Sequence, residues 1–403
     1  MRNVRNRRGL ALLLALLLEA TASLAMPPVT AAATETTNAA ETVTEGGLDV
    51  RAKSAVLMDV ATGTVLYEQN AHEELPPASV TKVMTMLLAL EAVERGQFSL
   101  EDTVTISERA ASMGGSQMYM EPGESHTVEE LFMGASICSA NDACVALAET
   151  TKGTEELFVE AMNARAQELG MDHSHFVNTN GLPAEDHYSC AYDIAVMSRE
   201  LLKHPKPREW FSTWQAEITV GLPGKEKPFG LTNTNKMIKT YPGANGVKTG
   251  FTQDAGYCLS ASATRGDLTL IAVVMGAESS KIRFSEASRL LDYGFANYEA
   301  VKLAESGQVM GSLMVEKASP QMVSAVTKEA AAVLIPKGQK GSITSEPILM
   351  EGLKAPIHQD TVVGELKVYR EGEVIGTYPL YAQETVERAG LGELYLRLLQ
   401  SLF

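Results

Sequence analysis

A long helical segment bracketed by two β-rich stretches is the pattern that most narrows the fold of this 403-residue chain. Ala55-Val56-Leu57-Met58-Asp59, the turn at Thr62-Gly63 and Val65-Leu66-Tyr67 read as a β-hairpin. Pro76-Pro77-Ala78 stops the extended chain, and Ser79 to about Glu94 reads as a helix that is apolar on nearly every side, the mark of a buried helix. From Val128 to Gly170 apolar residues recur at helical spacing. Asn245–Phe251, Tyr257–Thr264 and Leu268–Met275 then form an antiparallel meander, and Ser285–Tyr293 returns to helix. Strands, helices, strands and a helix predict an α+β domain whose sheet is assembled from both ends of the segment.

Around that domain the composition changes. Residues 1–25 combine Arg2, Arg5, Arg7 and Arg8 with the Leu10–Leu18 apolar run and a small-residue end at Ser23-Leu24-Ala25, the build of a secretory signal peptide. Glu19 ends the run short of the roughly 20 residues that a membrane span needs. Residues 26–47 are mostly Ala, Thr, Glu and Pro and predict a flexible tether, so the α+β domain is expected over 48–299. Short strands punctuated by Gly and Pro predict a small β-rich domain over 300–384. Over 385–403, Leu391, Leu394, Tyr395, Leu398 and Leu402 recur at helical spacing opposite Glu393 and Arg397, an amphipathic helix.

The formal charge of −16 disfavours nucleic acid as a partner, since phosphate binding draws on clustered Lys and Arg. Cys138, Cys144, Cys190 and Cys258 have no zinc spacing and are expected as buried apolar fillers, and whether Cys190 meets Cys258 stays open. Around His173-Ser174-His175 no acidic or thiol partner has ligand spacing, so neither a metal nor another cofactor is expected.

Three short elements carry chemistry. Ser79-Val80-Thr81-Lys82 puts a hydroxyl and an amine on one face of a helical turn, where a desolvated lysine can serve as the base a serine nucleophile needs. Ser139-Ala140-Asn141 offers a hydroxyl and a carboxamide at a join between helices. Lys248-Thr249-Gly250 lies on the first strand of the meander, with Lys248 and Gly250 on one face and Thr249 on the other, and the glycine is expected to let a substrate backbone lie close.

In this order the three elements are the signature set of penicillin-binding proteins and serine β-lactamases. From about Leu48 onward the chain resembles the low-molecular-mass penicillin-binding proteins that act as D-alanyl-D-alanine carboxypeptidases. Supporting stretches are Asn141–Ala148, Phe176-Val177-Asn178 with Gly181-Leu182, and Lys248–Tyr257. The resemblance implies a β-lactamase-like transpeptidase domain, an antiparallel sheet with a helical cluster. It implies that Ser79 attacks the bond between two terminal D-alanines of a peptidoglycan stem pentapeptide, with Lys82 as base. It also implies acylation by β-lactams.

The same resemblance gives roles to the other residues. Ser139 relays a proton, Asn141 holds the peptide amide or orients Lys82, and Lys248 supplies the field that keeps Lys82 neutral. The backbone N–H groups of Ser79 and Phe251 form the oxyanion hole, and Thr249, Gly250 and Arg283 meet the end of the substrate that carries the carboxylate. Phe251 departs from the His of many relatives, Ala140 from the usual Gly and Cys190 from the usual Thr or Ser. The terminal helix implies attachment to the outer face of the cytoplasmic membrane, the alternatives being packing on the β-rich domain or on a second copy in a homodimer. A β-lactamase is disfavoured because no Glu-x-x-Leu-Asn type segment lies between Asn141 and Lys248, and an idle peptidoglycan-binding scaffold because the reactive residues are intact.

Overall fold

The computed structural model describes residues 48–400. The expected signal peptide and tether, and the last expected helix residues Leu402 and Phe403, lie outside the described residues.

The central sheet has five antiparallel strands in the order Val65–Gln69, Ser54–Asp59, Leu268–Ala277, Gly256–Arg265, Ala244–Thr252. The hairpin thus pairs with the last strand of the meander, as expected for a sheet built from both ends. Strand alternation divides two cores. Val56, Met58, Ile271, Val273 and Met275 pack on the helical cluster, whereas Ala55, Leu57, Leu270, Ala272 and Val274 pack under the helix Ser280–Asn297. Gly294 lets that helix lie close, since a Cβ there would stand 2.4 Å from Leu270 Cδ1.

The helix Lys82–Glu94 runs through the first core with all but its C-terminal turn buried, which explains its apolar character on every side. Beside it lie Asn141–Lys152, Glu155–Glu168 and Ala191–Lys203. Two ribbons were not expected from the sequence: Thr103–Thr105 with Ser125–Thr127, and Gln215–Val220 with Lys227–Thr232. All four cysteines are free thiols, so no Cys190–Cys258 bridge forms.

Beyond Asn297 the chain builds a second sheet in the order Val309–Met314, Met322–Val326, Glu373–Ala382, Val362–Arg370, Ile343–Leu349, with its own apolar core. Tyr298–Ala304 pairs with Ala331–Pro336. The terminal helix starts at Leu391, later than expected, because Glu387–Arg388 is still extended and pairs with Ala318–Ser319. Its polar edge is tied down: Arg397 Nη1 donates to the Ala318 carbonyl at 2.7 Å, and Ser319 Oγ donates to Glu393 at 3.1 Å. Its apolar side is exposed, Leu391 by 87% and Tyr395 by 62%.

Candidate active site

Ser79, the candidate nucleophile, stands on a tight turn and not on the α-helix itself. Ala78–Thr81 forms a 3-10 turn that passes into the α-helix at Lys82. With three residues per turn, positions i and i+3 eclipse, and this brings Lys82 over Ser79. Lys82 Nζ lies 2.9 Å from Ser79 Oγ and donates to the Asn180 carbonyl at 2.6 Å. Lys82 is fully buried and Ser79 half-buried.

Two glycines make room for this turn. A Cβ on Gly181, whose φ is +81°, would stand 1.8 Å from the Ala78 carbonyl oxygen. A Cβ on Gly250 would stand 2.8 Å from the Pro77 carbonyl oxygen and 3.1 Å from the Ser79 nitrogen. Gly250 is expected to admit a substrate backbone; its close neighbour in the structure is the turn that carries Ser79.

Ser139 sits where the helix Val128–Met133 has widened into a π-turn, Gly134–Cys138, before Asn141–Lys152 begins. Its φ of +67° is left-handed, a conformation that costs a non-glycine residue free energy and that recurs at functional sites. Asn141 Nδ2 donates to the Gly114 carbonyl at 2.6 Å, while its Oδ1 is buried without a partner among the described residues. An unpaired buried acceptor is costly, and a donor brought by a ligand would relieve that cost. Asn141 Oδ1 makes no hydrogen bond to Lys82, whose second partner is the Asn180 carbonyl. The neighbouring Asp142 accepts from the Met118 and Ala143 N–H groups and pins the 113–120 segment to this corner.

Lys248 comes in from the edge strand Ala244–Thr252, buried, with Nζ donating to the Thr249 carbonyl at 3.0 Å. Thr249 Oγ1 donates to Thr234 Oγ1 at 2.8 Å, and the Thr234 N–H donates to the Ile137 carbonyl. These bonds draw the edge strand and the Ser139 corner together. Phe251 is 51% exposed and packs on Tyr257, ring centroids 4.3 Å apart. Arg283 is buried and not a solvated helix-start charge: Nη1 donates to the carbonyls of Gly250 at 2.8 Å and Cys258 at 3.1 Å. Its guanidinium also stacks near the Tyr257 and Phe284 rings.

Burial lowers the proton affinity of Lys82, bringing its pKa to about 8. Lys248 is pushed well below the ordinary lysine value by burial first and then by the charge of Lys82. Desolvation is the first cause for both amines, and the charge of Lys82 adds to it at Lys248. Two amines in one dry cleft hold fewer protons than two exposed lysines, which leaves a base beside Ser79.

Sequence reasoning missed Asn180, Thr234, Thr81 and His187. The only sequence signal for the first was the run Asn178-Thr179-Asn180-Gly181, rich in turn formers. Asn178 Oδ1 accepts from the N–H groups of Asn180 and Gly181, and Thr85 Oγ1 donates to the Thr179 carbonyl at 2.6 Å, so the run is folded onto the nucleophile helix.

A family model described as D-alanyl-D-alanine carboxypeptidase matches residues 36–279, and one described as penicillin-binding protein 5, C-terminal domain, matches residues 298–388. The chain is 43% identical to D-alanyl-D-alanine carboxypeptidase DacF of Bacillus subtilis over 340 residues, 84% of this chain and 87% of that protein. With D-alanyl-D-alanine carboxypeptidase DacC of Escherichia coli it shares 36% identity over 362 residues, 87% of this chain and 88% of the relative. Among solved structures, penicillin binding protein 5 from Haemophilus influenzae superposes with a TM-score of 0.67 at 30% identity, covering 84% of this chain and 98% of that one. The chain belongs to the D-alanyl-D-alanine carboxypeptidase family of serine-type enzymes, with a C-terminal domain of the penicillin-binding protein 5 type.

Proposed function

We propose that Ser79 is the covalent nucleophile and Lys82 the base in the D-alanyl-D-alanine carboxypeptidase reaction that family membership assigns to this chain. The observation that carries the reading is the 2.9 Å approach of Lys82 Nζ to Ser79 Oγ in a dry site that lowers the amine's affinity for a proton. Ser79 Oγ attacks the carbonyl between the two terminal D-alanines of a stem pentapeptide and gives its proton to Lys82. The C–N bond breaks, the leaving D-alanine takes a proton through Ser139, and water hydrolyses the ester. The N–H groups of Ser79 and Phe251 stabilise the oxyanion.

The unpaired Asn141 Oδ1 accepts from the substrate amide. Thr249 meets the substrate's carboxylate directly, and Lys248 favours it by charge. Arg283 adds to that field and acts through the strand it braces at Gly250. A β-lactam acylates the same hydroxyl. Replacing Ser79 by Ala abolishes D-alanine release from a synthetic pentapeptide and the mass of a penicillin adduct; release at the original rate would overturn the assignment.

The enzyme acts on the cell wall, outside the cytoplasm, with residues 48–299 as the catalytic domain and 300–384 as the β-rich one. The helix Leu391–Gln400 rests on a membrane surface by its apolar side, because its polar edge is already engaged by Ala318 and Ser319. Among the described residues no helix is long and apolar enough to cross a membrane.

A further inference from the structure

Thr81, Lys82 and Thr85 stand on one side of the first turns of the nucleophile helix, and each is bonded toward the same segment, 177–182. Lys82 donates to the Asn180 carbonyl, and Thr85 donates to the Thr179 carbonyl. Thr81 reaches the segment through a third residue, His187, whose Nε2 lies 2.8 Å from Thr81 Oγ1. The other ring nitrogen, Nδ1, lies 3.0 Å from the Val177 nitrogen. A backbone N–H can only donate, so Nδ1 must accept, and a neutral ring then carries its proton on Nε2 and donates it to Thr81.

We propose that His187 is a positioning residue for the acylation step: as its Nε2–H tautomer it holds the nucleophile turn and the 177–182 segment at one separation, so that the Asn180 carbonyl meets the Lys82 amine. The proposal rests on the reading of Ser79 and Lys82 as nucleophile and base.

Burial and the neighbouring charges of His175 and Lys82 lower the His187 pKa to about 4, so the ring is neutral at working pH. Asp186 and Tyr188 flank His187 in the chain, and Asp254 lines the same small cavity as the ring. That cavity, about 60 Å³, is walled by His187 together with Ala78, Gly181 and Thr252. The ring therefore also stands between this space and the fully buried Thr81. Removing it opens a path for water toward Lys82, whose lowered proton affinity depends first on being dry. The rest of the segment stays attached, because Thr179 is held by Thr85 and by Glu155, which in turn is paired with Arg109.

The test is the second-order rate of acylation of the full chain by labelled penicillin, measured against pH together with a thermal melt. His187→Ala is expected to slow acylation by roughly tenfold or more and to move the acid limb of the rate profile to higher pH, as a hydrated Lys82 keeps its proton longer. His187→Gln, which retains one donor and one acceptor, is expected to recover most of the rate. Thr81→Val, close in shape but without the oxygen, is expected to slow the reaction, and adding it to His187→Ala is expected to cost little more.

Wild-type rate and acid limb in His187→Ala would overturn the proposal, as would losses that multiply in the double variant. If His187→Ala does not fold, Thr81→Val at the wild-type rate would overturn it alone. Failure of the unaltered chain to form any adduct would overturn the reading of Ser79 as nucleophile and this proposal with it, an outcome distinct from normal labelling that ignores His187.

Discussion

Gly181 presses on the Ala78 carbonyl so closely that a Cβ at position 181 would lie 1.8 Å from that oxygen, inside any allowed contact. The turn bearing Ser79 therefore has its geometry set from outside, by a glycine a hundred residues further along the chain. Ala78 is itself at φ +48°, so the turn is held in a conformation it would not adopt alone.

Gly181→Ala combines a strained positive φ, costing about 1 kcal/mol, with a steric overlap that only displacement of the turn relieves. A shift of the order of 1 Å at the nucleophile is expected to cost roughly 100-fold in acylation. Stopped-flow labelling with a fluorescent penicillin measures it; a rate within a few-fold of the original would show that the contact does not control Ser79.

The acylation rate should fall with pH below about 8, tenfold per unit, because protonated Lys82 cannot accept the Ser79 proton. Stability follows the same group with a definite sign. The folded-state value lies below the unfolded 10.5, so between about pH 8 and 10.5 the unfolded chain binds the proton that the folded chain has lost. Stability due to Lys82 therefore rises with pH across that window, by up to about 3 kcal/mol, and the penalty is fully present below it. Comparing the pH dependence of unfolding for the original chain and Lys82→Met isolates this contribution; identical slopes would refute it.

Arg283→Met removes the donor shared by the Gly250 and Cys258 carbonyls. Losing a charged donor from two buried carbonyls is expected to lower unfolding free energy by about 1.5 to 3 kcal/mol, alongside a loss of activity. Denaturant unfolding reads this directly. A variant with normal stability and only a raised KM would mean that the guanidinium acts on the substrate alone and not through the strand.

Deleting residues 390–403 should release the protein from the membrane fraction while leaving D-alanine release intact, since the helix lies at the end of the chain and its Glu393 and Arg397 bond to Ser319 and Ala318 of the β-rich domain, not to the Ser79 site. Fractionation of cells followed by penicillin labelling tests both halves of the statement. Continued sedimentation with membranes would refute the attachment.

Periodicity and turn chemistry made the hairpin and meander legible, whereas the division of alternating residues such as Ala55 and Val56 between two cores came only with the structure. Lys82, Ser139 and Lys248 were legible because three short elements in a given order belong to one family. His187 and Asn180 were not. Their work is done by a ring and a main-chain carbonyl whose partners lie about a hundred residues away, and no local spacing records such a meeting. The helix at Leu391 was placed early by the sequence because Val386 to Gly390 carries no strong stop, whereas pairing of Glu387 with Ser319 keeps that stretch extended.

The amino-acid sequence by itself determined the α+β class, the separate β-rich domain and which residues are candidates to react, because these follow from local pattern and residue chemistry. Only the tertiary structure decided what those groups are able to do. The 3-10 turn sets Lys82 over Ser79, Gly181 and Gly250 close around it, Arg283 turns inward to brace a strand, and burial lowers the lysine's hold on its proton. Each of these depends on which distant segments exclude water and where their carbonyls point, and that is a property of packing.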